Sequence, residues 1–155
     1  MAVPDFVLAL REKIGHELLW LSGVTAVVLK ENEVLLVKRA DTGAWTPVTG
    51  IIDPGEEPAV AAEREVLEEA AVVARAEALV WVKVLPPTSY ANGDRSQYLD
   101  TVFRCSYVSG DPFPADGENT HAAWFPLDRL PEISDDMRAR ITVAVESTTG
   151  ARFER

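Results

Sequence analysis

Apolar positions change their period along this chain, and the changes mark out the elements. Val7, Leu10, Ile14, Leu18 and Leu21 recur at three- and four-residue steps, which predicts an amphipathic helix over residues 4–21. Pro4 suits its first turn and Gly23 its stop. Residues 24–30 and 34–39 are instead β-branched and aliphatic, and Glu31-Asn32-Glu33 joins them, so the pair reads as a hairpin. Their nearly continuous apolar runs predict a sheet covered on both faces. Residues 40–49 form a turn and a short strand. Residues 72–85 read as a strand with a break near 75–77, and 97–108 as a second long strand. The polar Pro/Gly loop at 85–96 is long enough to line a site, and residues 109–120 form another turn-rich loop. Residues 121–127 are a short strand. A last helix starts at Ser134, an N-cap candidate followed by two acids, with Met137, Ile141, Ala144 and Val145 as its apolar face. The tail after Gly150 is expected to fray.

Between these strands lies residues 50–72, GIIDPGEEPAVAAEREVLEEAAV. Asp53-Pro54-Gly55 is a turn, and Pro58 begins a helix. Glu65, Glu68 and Glu69 fall at i, i+3 and i+4, on one helical face. Ala59, Val60, Ala62, Val66, Leu67 and Ala70 are assigned to the opposite, core-facing side. Glu63 falls among those apolar positions and needs either the end of the stripe or a partner. Adjacent carboxylates on a helix repel, and a hard cation such as Mg²⁺, which prefers oxygen ligands, removes that repulsion. An ordinary solvated acidic face is the alternative.

Composition narrows the classes. A chain of 155 residues with 47% hydrophobic content fits one globular domain, 1–155. Its net charge of −10 disfavours a nucleic-acid polymer as partner but leaves room for a small phosphorylated substrate. Cys105 is the only cysteine, so no intramolecular disulfide is expected; a reducing cytoplasm fits, and a buried apolar role for the thiol. Asp5, Arg11, Glu12, Lys13 and Glu17 interrupt any signal-peptide core, and no run approaches the ~20 apolar residues of a membrane span.

Residues 50–72 resemble the signature of the Nudix hydrolase superfamily, G-x5-E-x7-R-E-U-x-E-E-x-G-U with U aliphatic. Gly50, Glu56, Arg64, Glu65, Val66, Glu68, Glu69 and Val72 fall on its fixed positions, and Ala71 stands where the family has glycine. Thr49 replaces a second glycine commonly found before the motif. The resemblance implies an α/β/α sandwich with a mixed central sheet over roughly residues 24–147, to which 1–22 adds a helical extension that either packs on its own domain or serves a homodimer. It implies hydrolysis of a nucleoside diphosphate linked to another moiety, by attack of water at phosphorus, with Mg²⁺ or Mn²⁺ as cofactor. Glu65, Glu68, Glu69 and the Gly50 carbonyl are then metal ligands, Glu68 and Glu69 also candidates for the proton acceptor, and Arg64 and Glu56 hold the glutamates in place. Glu118 matches the loop glutamate that many relatives use in catalysis or metal binding, and is otherwise a plain loop acid. Arg39 faces substrate or only solubilises a strand end. Tyr90 and Trp45 stack on a base or sugar, or pack. The other activity class is a non-catalytic domain that binds a nucleotide-like ligand and regulates; such relatives usually lose motif glutamates, and none is lost here.

Overall fold

The computed structural model describes residues 3–155. Helix α1 spans Asp5–Ile14, and β1 (Leu18–Lys30) and β2 (Glu33–Arg39) follow. Short strands β3 (Trp45–Thr46) and β4 (Val48–Ile51) lead into α2, Pro58–Ala70. Then come β5 (Val73–Val84), β6 (Thr88–Ser89), β7 (Arg95–Ser109), β8 (Asn119–Pro126), α3 (Asp135–Glu146) and β9 (Arg152–Phe153). The strands form one mixed sheet in the order β3-β2-β1-β7-β5-β9, with β4 and β8 added to β1 and β2, and β6 added to β7. Its spine is the parallel pairing of β1 with β7, from Leu18 opposite Arg95 to Leu29 opposite Ser106.

Strand parity sorts the core into two layers. Val24, Ala26, Val28, Leu35 and Val37 pack against Ala61, Ala62, Val66 and Ala70 of α2. Val27, Val34, Leu36, Val80 and Val102 pack against Ile141 and Ala144 of α3. All four residues of the run Val34, Leu35, Leu36 and Val37 are buried, as expected for a strand covered on both sides. Leu19 and Leu21 share the parity of Val27, so α1, packed on Leu21 and Ile51 through Val7, lies on the α3 side. The expected α/β/α sandwich with an additional N-terminal helix is the fold observed.

Several boundaries differ from the periodic reading. The helix predicted over 4–21 stops at Ile14, where Gly15 turns to φ 60°. Arg11 caps that end by donating to the Gly15 and Glu17 carbonyls. Leu18 and Leu21 continue the helical spacing, but β7 offers them a complete ladder, and tertiary pairing outweighs a marginal isolated helix. The expected break in β5 is a register shift between Ala76 and Ala78. Glu63 resolves its inconsistency there: its carboxylate accepts the Ala76 N–H at 2.9 Å. On α3, Ser134 does cap, accepting from Met137 N–H at 3.2 Å. Val145, however, is exposed, and Arg140 is buried in its stead. The tail after Gly150 is tied down: β9 pairs with β5, and Glu154 accepts from the Trp81 indole at 3.0 Å. Cys105 is fully buried, and burial pushes its thiol up to about 12.

Candidate active site

Helix α2 is rotated relative to the periodic expectation. Its buried residues are Ala61, Ala62, Glu65, Val66, Glu69 and Ala70, while Val60 and Leu67 point to solvent at 54% and 52% exposure. Positions 62, 65, 66 and 69 form one i, i+3, i+4, i+7 stripe. Glu65 and Glu69 thus lie within the core-facing stripe, and only Glu68 is exposed. The supposed opposition of an apolar face and an acidic face is corrected: the acids sit where the helix meets the sheet.

Two features admit Glu65 there. Gly50, opposite Val24 in the β4–β1 ladder, leaves the space; a Cβ at residue 50 would collide with the Glu65 carboxylate. Arg64 supplies the charge. Its Nη1 donates to Glu65 at 2.9 Å and to Glu68 at 3.1 Å. Its Nε and Nη2 grip both oxygens of Glu56 at 2.7 and 2.9 Å, and Nη2 also reaches the Ile51 carbonyl at 3.2 Å. This bidentate clamp holds the Glu56 carboxyl below its ordinary range and the guanidinium firmly charged. Glu56 in turn accepts the Asp53 N–H at 3.0 Å, which closes the turn before the helix. Even so, burial pushes Glu65 up to about 7, against the opposing pull of Arg64. One Glu65 oxygen, Oε2, is buried with no hydrogen-bond partner among the described residues.

Glu69 belongs to a different neighbourhood. Its carboxylate accepts from Asn119 Nδ2 at 3.2 Å, and carboxylate oxygens of Glu69, Asp116 and Glu118 all lie within 4.8 Å of one another. Burial raises Glu69 to about 7 as well, with Asp116 adding to the rise and Asn119 opposing it. The loop glutamate that the family resemblance suggests, Glu118, is therefore brought to the helix. Asp116 and Asn119 carried no sequence signal beyond loop polarity; only the fold of residues 110–119 identifies them.

The remaining candidates separate. Arg39, at the β2 end, is gripped by Asp41 at 2.8 and 3.0 Å, which with Glu69 raises its guanidinium further, and it pairs with Asn119 across the β2–β8 ladder. Tyr90 is exposed, with its hydroxyl 2.8 Å from that of Tyr98. Trp45 lies in the α3 layer, edge-on to Phe125 at 4.8 Å. That places it across the sheet from the carboxylates, so stacking on a substrate held there is not supported for Trp45.

A dense carboxylate cluster and a clamping arginine on a helix–sheet seam make a site whose oxygen donors could hold a hard cation. The chain belongs to the Nudix family: the NUDIX domain profile matches residues 20–144. Its class is that of the Nudix pyrophosphohydrolases. A Bacillus subtilis protein provisionally assigned as an 8-oxo-dGTP diphosphatase is 32% identical over 114 residues, 73% of this chain and 71% of that protein. The human 8-oxo-dGDP phosphatase NUDT18 is 35% identical over 115 residues, covering 70% of this chain and 33% of its own length. Among solved structures, an ADP-ribose pyrophosphatase from Streptococcus suis superposes with a TM-score of 0.67 at 22% identity, over 86% of this chain and 98% of that one. At that identity the likeness is one of fold. No helix among the described residues is long and apolar enough to cross a membrane.

Proposed function

We propose that this chain hydrolyses the pyrophosphate linkage of a small nucleoside diphosphate derivative with the help of Mg²⁺ or Mn²⁺. The observation that carries the reading is the convergence of Glu69, Asp116 and Glu118 carboxylates within 4.8 Å at the end of the helix that also buries Glu65. The donor set fits a hard divalent cation: all oxygens, several charged, one without a protein partner. Glu65, Glu68 and Glu69 would hold it, with the Gly50 carbonyl and the loop acids Asp116 and Glu118. When bound, the cation neutralises phosphate oxygens and makes water a stronger nucleophile at neutral pH.

The chain's own residues do the rest. Arg64, held by Glu56, fixes Glu65 and Glu68 at set positions, so the cluster needs little reorganisation on binding phosphate. Water attacks phosphorus and the bridging P–O bond breaks. A carboxylate among Glu68, Glu69 and Glu118 accepts the proton that water loses. Arg39 lies on the Glu69 side and orients the phosphates. Tyr90, exposed in the loop between β5 and β7, contacts the base or sugar. Relatives named for oxidised deoxyguanosine phosphates and for ADP-ribose fall within this class, while others are named for NAD-capped RNA.

The test is a panel of nucleoside triphosphates, nucleotide sugars, ADP-ribose and dinucleoside polyphosphates with product analysis. Turnover with Mg²⁺, abolished by chelator and restored by added metal, is expected. Undiminished turnover in excess chelator would sink the metal assignment, and tight binding without turnover would replace hydrolysis by a ligand-binding role.

A further inference from the structure

Residues 111–118 read DPFPADGE. Pro112 and Pro114 have no N–H to donate, so Phe113 and Ala115 carry the donors between 112 and 115. Both are spent on one target. The Phe113 N–H donates to the Ala70 carbonyl at 2.9 Å, and the Ala115 N–H to the Glu69 carbonyl at 3.3 Å. These carbonyls belong to the last turn of α2, which helix N–H groups cannot reach. The segment is also fixed at both ends. Gly110, at φ 96°, lies so close to Ala71 that a Cβ would sit 2.6 Å from its carbonyl oxygen, and the Tyr107 hydroxyl donates to the Gly110 carbonyl at 3.0 Å. At the other end the Ala40 N–H donates to the Glu118 carbonyl at 2.9 Å, and Asp116 accepts the Glu118 N–H at 3.0 Å. The next residue, Asn119, holds the Glu69 side chain.

We infer that residues 111–118 are a positioning strap for Glu69. A proline-stiffened backbone docks on the end of the acidic helix, fixes Glu69 through its own carbonyl, and delivers Asp116 and Glu118 to its carboxylate. Two prolines leave the strap few alternative paths, and hydrogen bonds to consecutive α2 carbonyls fix its register. Acids on separate elements otherwise drift apart by mutual repulsion. Phe113 and Ala115 act through their main chain, as positioning residues that touch no substrate. The inference rests on the metal-site reading above.

Two variants test it, and both keep every carboxylate. Pro112→Gly with Pro114→Gly loosens the strap but keeps its donors; Ala115→Pro removes the donor to Glu69. In each, the Mn²⁺ concentration giving half-maximal thermal stabilisation should rise about tenfold or more, the scale of losing outer support of a metal site. Amide exchange in the last turn of α2 should quicken while β1 and β7 stay protected. Turnover should fall and partly recover at high metal. An unchanged metal response and unchanged exchange in both variants would overturn the strap. So would a lower melting temperature with wild-type metal response, which would make the segment ordinary cover. If wild-type protein binds Mn²⁺ but hydrolyses no pyrophosphate, the proposed activity fails while the Mn²⁺ titration still judges the strap. If it shows no Mn²⁺ response at all, exchange in the last turn of α2 decides alone.

Discussion

Two buried carboxylate centres occupy opposite faces of one sheet, and they are built to different ends. On the α3 side, Asp100 is 3% exposed, accepts from the Thr25 hydroxyl at 2.8 Å and faces Arg140 Nη1 at 3.3 Å. Arg140 is itself buried, donates to Thr25 at 2.9 Å and pairs with Asp136, which Lys83 holds at 2.7 Å. On the α2 side, Glu65 and Glu69 are 1% and 2% exposed, equally dry. The cation of Glu65, Arg64, stands at the rim with 28% of its side chain exposed and is divided among Glu56, Glu65 and Glu68, while the Glu69 carboxylate accepts from Asn119. Where the protein encloses its own counterion, a buried acid ties a helix to a sheet. Where the cation stands at the rim, burial raises Glu65 and Glu69 to about 7, so their charge depends on pH and on what binds them.

The largest expected effect breaks the closed centre. Arg140→Met leaves Asp100 buried without its cation and should cost ~3–5 kcal/mol in denaturant melts, the scale for removing one partner of a buried pair. The folded fraction should keep its metal dependence. A loss below ~1 kcal/mol would mean Asp100 does not depend on Arg140. In the open centre the contrast reverses. Glu69→Gln should cut turnover by ~100-fold or more while folding persists, and Glu68→Gln should act in the same direction. Near-wild-type rates in both variants would remove these residues from the chemistry.

A pH titration sharpens the same difference. Glu65 and Glu69 rise from an ordinary 4.5 to about 7 on burial. The folded, metal-free protein thus holds protons that the unfolded chain has released, and stability falls as pH rises from 4.5 through about 7. Melting of chelated protein should drop between pH 5 and pH 8, and added Mg²⁺ should recover more stability at pH 8, where protons no longer compete for the acids. A Mg²⁺ response larger at pH 5 would contradict the open centre. The smallest effect concerns the end of the acidic helix. Ala71 sits at φ 55°, ψ 26°, the left-handed turn that its family fills with glycine. Ala71→Gly should stabilise by up to ~1 kcal/mol, strain relief less the extra entropy of unfolded glycine. Denaturant melts under equal metal decide, and a loss of stability would refute strain at this turn.

Much of this was legible locally. The i, i+3, i+4 acids, the turn at Asp53-Pro54-Gly55, the Ser134 cap and the bulge in β5 each follow from neighbours within a few residues, and the structure contains all of them. The core face of α2 departs from its apolar stripe, because apolarity does not by itself bring burial. Val60 and Leu67 are apolar but exposed, and Glu65 is buried because Gly50 and Arg64 make room and charge for it. Trp45 was offered as a stacking ring, but strand parity puts it in the other layer.

By itself the sequence determined the helix that carries the acids, the strands that bury on two faces and the residue types able to hold a cation. Helix and strand periods are properties of adjacent residues, so they survive without knowledge of the fold. Tertiary structure alone decided where α1 yields to β1, which acid meets which cation, and that Asp116 and Asn119 reach Glu69 from 47 and 50 positions away. Those outcomes depend on contacts between distant segments, formed only once the sheet has brought them together, and no local period encodes them.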